Sequence, residues 1–237
     1  MKTIVVTLVA LACALAFAQE ARADDPGRID AYVSPYYDSS GPIIRIGEYS
    51  SGLASKNRQV FVATILRMKK SWGRLSFLER YVAAARLYDL GFRNEATYWF
   101  YSAQYTGRQF GSLVDQKSMG GMGSPAFELY HAQGAFLELV GPDVNGYAFG
   151  DVGALVKIIR RVQSENRTVP DLRAIYSGVA FIGNAQWQHR NAEINAGLGT
   201  LAASLDKQGP EIARERVENG TQTRFAQLTS TPFPGGY

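Results

Sequence analysis

The stretch from Ser76 to Gly107 constrains the fold most, because it carries the pattern of two amphipathic helices joined by a short turn. Ser76, followed three residues later by Glu79, forms a capping box, which satisfies free backbone N–H groups where a helix begins. Gly91 stands where a left-handed residue ends a helix at least cost. Between these signals, apolar residues recur at the spacing of one helical face: Phe77, Tyr81, Val82, Ala85 and Tyr88. The stretch therefore predicts a helical hairpin.

The second helix of this hairpin has a more specific pattern. Asn94 is its predicted cap, and Ala96-x-x-Trp99-Phe100-x-x-Ala103-x-x-x-Gly107, preceded by Leu90-Gly91, resembles the second helix of a Sel-like repeat, a relative of the tetratricopeptide repeat. Small Ala residues let two helix backbones approach while the aromatic pair fills the groove between them. The pattern departs from the family at Gln104, where a second Ala is usual. A repeat array needs about three stacked copies, and no second clear copy follows, which favours a single hairpin.

The N-terminus has the pattern of a signal peptide. A positive start, Met1-Lys2, precedes an apolar run from Ile4 to Ala18, and the small-x-small site Ala21-Arg22-Ala23 follows. Cleavage after Ala18 is the alternative. The run is shorter than the roughly twenty residues of a membrane span, so residues 1–23 are interpreted as a cleaved signal peptide that directs the chain to the periplasm.

Cysteine usage and charge exclude several classes of function. The one cysteine, Cys13, lies in the predicted signal peptide, so the mature chain has no disulfide, no thiol nucleophile and no cysteine-ligated metal. Lipidation of Cys13 is disfavoured by the Ala10-Leu11-Ala12 approach. A net charge of +4 is only mildly basic and does not by itself indicate nucleic acid. We expect no cofactor, no nucleic-acid partner and no membrane span.

The remaining pattern predicts an all-α protein, a single irregular helical domain of seven or eight helices with an extended N-terminal arm. Residues 24–56, rich in Pro, Gly, Ser and Tyr, form the predicted arm. Residues 57–228 form the helical domain, in which Gly141-Pro142 and Gly209-Pro210 are expected to end helices. Residues 229–237 are predicted to be a disordered tail.

Few residues suggest catalysis. Glu128-x-x-His131 and His189-x-x-x-Glu193 each place two metal ligands one helical turn apart, but a di-iron bundle needs two Glu-x-x-His units. The glycine-dense loop from Lys117 to Pro125 lacks the ending of a phosphate loop and is interpreted as a connector or a partner-contacting loop. A glycan-cleaving carboxylate pair remains an alternative, with these candidates: Glu79, Glu95, Glu128 and Glu138.

Aromatic density in the hairpin suggests a protein-binding surface. Tyr98, Tyr101 and Tyr105 recur as a second stripe on the helix that Trp99 and Phe100 anchor, between Arg93 and Arg108. Exposed Tyr and Arg are typical of protein interfaces; the alternative is that neighbouring helices bury the stripe. Two more sets are candidate contacts: Tyr36 and Tyr37 in the arm, and the basic cluster Arg67, Lys69, Lys70 and Arg74, which otherwise suits a helix terminus.

These patterns favour a non-catalytic exported protein that binds another protein. Within that class, the interpretation is an inhibitor or immunity protein that neutralises a secreted antibacterial toxin in the periplasm. An envelope scaffold component and a peptidoglycan hydrolase are the alternatives.

Overall fold

A computed structural model describes residues 26–27 and 46–236 of the chain. It contains nine α-helices in this part and no strand, only an isolated bridge between Val114 and Phe181, so the prediction of an all-α fold is confirmed. The predicted signal peptide and residues 28–45 of the predicted arm lie outside the described residues. The helices are α1 (Ser50–Ala54), α2 (Arg58–Lys70), α3 (Phe77–Asp89), α4 (Arg93–Leu113), α5 (Pro125–Ala148), α6 (Val152–Glu165), α7 (Leu172–Ile175), α8 (Trp187–Glu218) and α9 (Thr221–Phe225).

Helices α3 and α4 form the predicted hairpin, and its local signals act as expected. The Ser76 hydroxyl accepts a hydrogen bond from the backbone N–H of Glu79, whose carboxylate accepts one from the Ser76 N–H at 2.7 Å. Gly91 has a φ of +81°, the left-handed conformation that closes α3. The turn therefore follows from residues within it.

Helix α4 is the centre of the domain, because α3, α5, α6 and α8 all pack against it. Trp99, Phe100 and Phe110 have no exposed surface. Packing from several sides explains why α4 carries aromatic residues around more than one face.

A buried polar network ties α4 to α6 and α8. Asn191 of α8 is fully buried, and its Oδ1 lies 2.7 Å from the hydroxyl of Tyr105 and 2.6 Å from the Nε2 of Gln109. Its Nδ2 donates to the backbone carbonyl of Asn166, just after α6, at 3.0 Å. Buried polar groups need such partners, so this network fixes how three helices meet.

Two helices continue where the sequence predicts an end. Helix α5 passes through Pro142 and α8 passes through Pro210, so both predicted breaks are wrong. A proline inside a helix leaves the carbonyl four residues earlier without its usual donor. Those carbonyls belong to Glu138 and Asp206, both exposed residues. Burial of the flanking turns, as at Val140 and Val144 of α5, outweighs the cost of the proline.

The end of the predicted arm belongs to the helical core. Residues 46–56 were expected to be extended, but Gly47–Tyr49 form a 3₁₀ turn and α1 follows at once. Ile46 and Leu53 are buried, so apolar contacts with the core hold this segment in place.

The segment Thr229–Gly236, called here the C-terminal tail, is ordered against the hairpin, so the prediction of disorder is wrong for it; Tyr237 lies outside the described residues. The backbone N–H of residue 231 donates to the carbonyl of Gly91 at 2.8 Å. Phe233 packs edge-on against Phe92 with ring centroids 5.1 Å apart. The Ser230 hydroxyl accepts from the backbone N–H of Asn94 at 2.9 Å. The predicted cap at Asn94 is therefore replaced by a hydroxyl from the tail, since α4 begins at Arg93 with no side-chain cap of its own.

Candidate protein-binding face

The predicted tyrosine stripe lies inside the domain. Tyr98, Tyr101 and Tyr105 are all buried, so the hypothesis of an exposed stripe is wrong and neighbouring helices cover it. Their hydroxyl groups bond to other helices: Tyr98 to Glu165 of α6, Tyr101 to Asn145 of α5, and Tyr105 to Asn191 of α8. The stripe therefore joins helices, because α4 has neighbours on this side as well.

The flanking arginines have different surroundings. Arg93 is held by the C-terminal tail and by the segment 26–27, because it donates to the carbonyls of Thr229 and Gly27. Arg108 is half-buried, and the described residues offer it no hydrogen bond or ion pair. Tyr36 and Tyr37 lie outside the described residues.

An uncharged exposed surface on α5 is the feature that the sequence analysis missed. We call it the α5 face and define it by Phe127, Tyr130, His131, Gly134 and Ala135. Tyr130 is 45% exposed, His131, Gly134 and Ala135 are exposed, and Phe127 is half-buried. The exposed sides of α6 and α8 carry charges instead, as at Lys157, Arg190 and Glu211. Glu138, one turn after Gly134, is also exposed on this side of α5, so the α5 face is a patch of five uncharged residues that ends at a carboxylate. An exposed helix surface with so few charges is typical of a surface that another protein covers.

The α5 face is continuous and partly ordered by its own contacts. The His131 ring lies 4.3 Å from the Phe127 ring and 5.8 Å from the Tyr130 ring, measured between centroids. The loop before α5 is tied to the helix, because the N–H of Gly123 donates to Glu128 at 2.8 Å. This loop presents Met122 with 91% of its surface exposed. Methionine adapts to irregular partner surfaces, so the loop extends the apolar character of the face.

Arg108 borders the α5 face along the contact between α4 and α5. Tyr101, two turns before Arg108, bonds to Asn145 of α5, and a Cβ at Gly111, one turn after, would contact the Tyr130 ring at 3.8 Å. Burial lowers the pKa of Arg108, with the phenols of Tyr81 and Tyr101 acting in the opposite sense. The guanidinium nitrogens of Arg108 still reach water, since none of them is a buried atom without a partner. No carboxylate of the described residues pairs with Arg108, so this position suits an incoming carboxylate.

The candidate metal and catalytic residues are spread over separate elements. His131 packs in the α5 face, while His189 lies 3.5 Å from Glu193 on α8. Within the described residues, no group of three or more potential metal ligands gathers. Among the four carboxylates proposed for glycan cleavage, Glu79 caps α3 and Glu128 holds the loop before α5. Glu95 is buried, 2.7 Å from Lys69 and 2.8 Å from the Nε1 of Trp99.

A signal for the α5 face was present in the sequence. The 24 residues of α5 contain no Lys or Arg, whereas Lys and Arg make up 25 of the 237 residues of the chain. The prediction that this helix ends near Gly141 made it shorter than it is, and its exposed positions were not considered as a surface.

No helix in the described part of the chain has both the length and the apolar character that a membrane crossing requires. Comparisons of this chain with protein-family models, with curated proteins and with solved structures give no match.

Proposed function

We propose that this chain is an exported, non-catalytic protein that binds another protein through the α5 face, and that the partner is a secreted antibacterial toxin, which it neutralises in the periplasm. The observation that carries the proposal is the α5 face, an exposed patch of five uncharged residues that has no Lys or Arg and ends at the carboxylate of Glu138. Gly134 and Ala135 present little side chain there, which lets a partner helix or loop approach closely, and Tyr130 supplies the kind of large amphipathic residue that dominates binding energy in interfaces.

Arg108 defines the chemistry of the partner further. The binding surface of the partner would place apolar side chains on the α5 face and one Asp or Glu at Arg108. That carboxylate would then accept a charge-assisted hydrogen bond from Arg108. The pattern of a signal peptide supports action in the periplasm, where the exported chain would encounter a toxin that attacks the cell envelope.

The first experiment measures protection. A sensitive bacterium makes the full chain, with its N-terminal segment, and is challenged with the proteins that the producing strain secretes. We expect growth to be restored by the wild type and lost with Ala135→Arg, because this change puts a long charged side chain where the partner must approach closely and should weaken binding about 100-fold. Arg108→Gln should weaken binding about tenfold, which corresponds to a loss of roughly 1.4 kcal/mol in binding free energy.

Ala196→Arg is the matched control, since Ala196 is an exposed alanine in the middle of α8. It adds the same charge at a distance from the α5 face and should protect as the wild type does. Equal protection by Ala135→Arg and Ala196→Arg would show that the α5 face is not the binding surface. If the wild type gives no protection but co-purifies with an envelope protein through the α5 face, the scaffold alternative replaces the toxin inhibitor.

A further inference from the structure

A second feature of the domain is a cavity of about 310 Å³ on which α4, α5, α6, α8 and α9 converge. Its volume is in the lower range of pockets that hold small molecules. Its lining contains both apolar and polar groups. The apolar lining includes Ala154, Leu155, Ile158, Phe225 and Leu228, and the polar lining includes Asn94, Tyr147, Asp151, Arg216 and Gln222.

Arg216 is a buried cation of this cavity without a carboxylate partner in the described residues. Its side chain is 6% exposed, its Nη1 donates to the carbonyl of Gly146 at 2.8 Å, and its Nε donates to Gln222 at 3.3 Å. Both acceptors are neutral, and Nη2 lies on the side of Gly150. Buried arginines are normally paired with a charge, so Nη2 is an available donor for an anionic group.

Asp151 supplies the opposite charge in the same cavity. Its Oδ1 accepts from the N–H of Ala154 at 2.9 Å and so caps α6, which leaves Oδ2 without a partner among the described residues. Asp151 follows Gly150, the residue that Arg216 approaches, but the two charged side chains do not form an ion pair. The cavity therefore has an unneutralised cation inside and an unneutralised carboxylate at its exposed edge.

The apolar lining is held close by a glycine. A Cβ on Gly146 would lie only 2.2 Å from the Phe225 ring, so the ring packs directly against the backbone of α5. This contact places Phe225 as a fixed wall of the cavity. An apolar group of a few carbons placed beside Phe225 would contact the aliphatic side chains of α6 that line the same cavity.

We propose that this cavity binds a small zwitterion with an apolar side chain, such as an apolar α-amino acid or a dipeptide. The carboxylate of the ligand accepts hydrogen bonds from Arg216, its ammonium group donates to Asp151, and its side chain contacts Ile158, Phe225 and Leu228. The site is separate from the α5 face and does not depend on the partner-binding proposal.

The test uses the full chain and isothermal titration with four apolar amino acids: leucine, valine, methionine and phenylalanine. For a ligand of this size we expect a dissociation constant on the order of 100 µM for the best of them. Two leucine analogues separate the contributions of the two charged groups to binding. 4-Methylpentanoate lacks the ammonium group, and isopentylamine lacks the carboxylate. Each should bind at least ten times more weakly than leucine. Absence of binding by all four amino acids, or equal affinity for leucine and 4-methylpentanoate, would overturn the proposal.

Asp151→Asn is the decisive variant, because asparagine also caps helices but carries no charge. It should reduce leucine affinity at least tenfold and leave 4-methylpentanoate binding unchanged. Asp206→Asn, at an exposed position of α8, is the matched control and should bind leucine as the wild type does. Arg216→Gln is a weaker test, because it also removes a bond that holds α8 to α5. Ile158→Trp is therefore measured as well, since it fills the cavity and leaves both charged residues in place. Retained leucine binding in Ile158→Trp or in Asp151→Asn would contradict the assignment.

Discussion

Raising the pH from 9 to 11 is expected to remove about 4 kcal/mol from the free energy of unfolding of this protein. The cause is a set of four buried tyrosines, Tyr81, Tyr88, Tyr101 and Tyr176, whose pKa values burial raises above the ordinary value of 10. The unfolded chain loses these protons near pH 10, whereas the folded protein keeps them. Stability is therefore fully present below pH 10 and falls as the pH rises further.

The size of the effect follows from the linkage between proton binding and stability. Above pH 10, each such tyrosine costs about 1.4 kcal/mol per pH unit. Arg80 opposes the loss, because burial lowers its pKa to about 10 and the folded state releases this proton before the unfolded chain does. The stability gained through Arg80 offsets the loss caused by about one of the four tyrosines. Since small domains are stable by about 5–15 kcal/mol, the net loss is enough to bring the protein close to unfolding.

Urea unfolding at pH 8, 9, 10 and 11, with tyrosinate absorbance at 295 nm, measures this prediction. The part of the absorbance that comes from the four buried tyrosines should rise together with unfolding. Tyr81→Phe is a suitable control, because the described residues offer the buried Tyr81 hydroxyl no hydrogen-bond partner. The variant should be at least as stable at pH 8 and should recover about 1.4 kcal/mol at pH 11. Tyrosines that all ionise near pH 10 in a protein that stays folded would contradict the interpretation.

The second large effect is expected from Trp99→Ala, which should lower the free energy of unfolding by about 4 kcal/mol. The Trp99 side chain has no exposed surface and lies edge-on to Trp72 with ring centroids 4.7 Å apart. Removing it leaves a cavity in the middle of α4. It also takes away the N–H that donates to Glu95, a carboxylate that is itself buried.

Two further variants separate packing from hydrogen bonding at this position. Trp99→Phe keeps much of the packing and loses the bond to Glu95, so about 2 kcal/mol should be lost. Val217→Ala changes a residue that is 67% exposed and should alter stability by no more than about 0.5 kcal/mol. The midpoints of urea unfolding give all three values. A loss for Trp99→Ala as small as that for Val217→Ala would show that α4 is not the centre of the core.

The hairpin was predictable because its signals are local. Ser76, Glu79 and Gly91 lie within the elements they begin and end, so the sequence pattern and the structure agree there. Pro142 and Pro210 misled the prediction, because the rule that proline ends a helix ignores how much the following turns bury. The C-terminal tail was missed for a similar reason. Its contacts are with residues more than a hundred positions earlier, and no local pattern reports them.

The candidate sites divide in the same way. The absence of Lys and Arg from α5 was readable in the sequence, but the burial of Tyr101 and Tyr105 depends on how many helices surround α4, which no single segment specifies. The cavity at Arg216 and Asp151 required even more information, since five helices converge there. Asp151 has an ordinary role as the cap of α6, whereas Arg216 bonds to residues of two other helices, and only the fold brings them to one cavity.

The contact between the C-terminal tail and the start of α4 has a consequence for quality control. A ribosome that stops before Thr229 makes a chain in which Phe92 is uncovered and the first turn of α4 lacks the Ser230 hydroxyl. Such a product would present proteases with an apolar ring beside a frayed helix. An interrupted chain of this kind would therefore be cleaved faster than one that includes the tail.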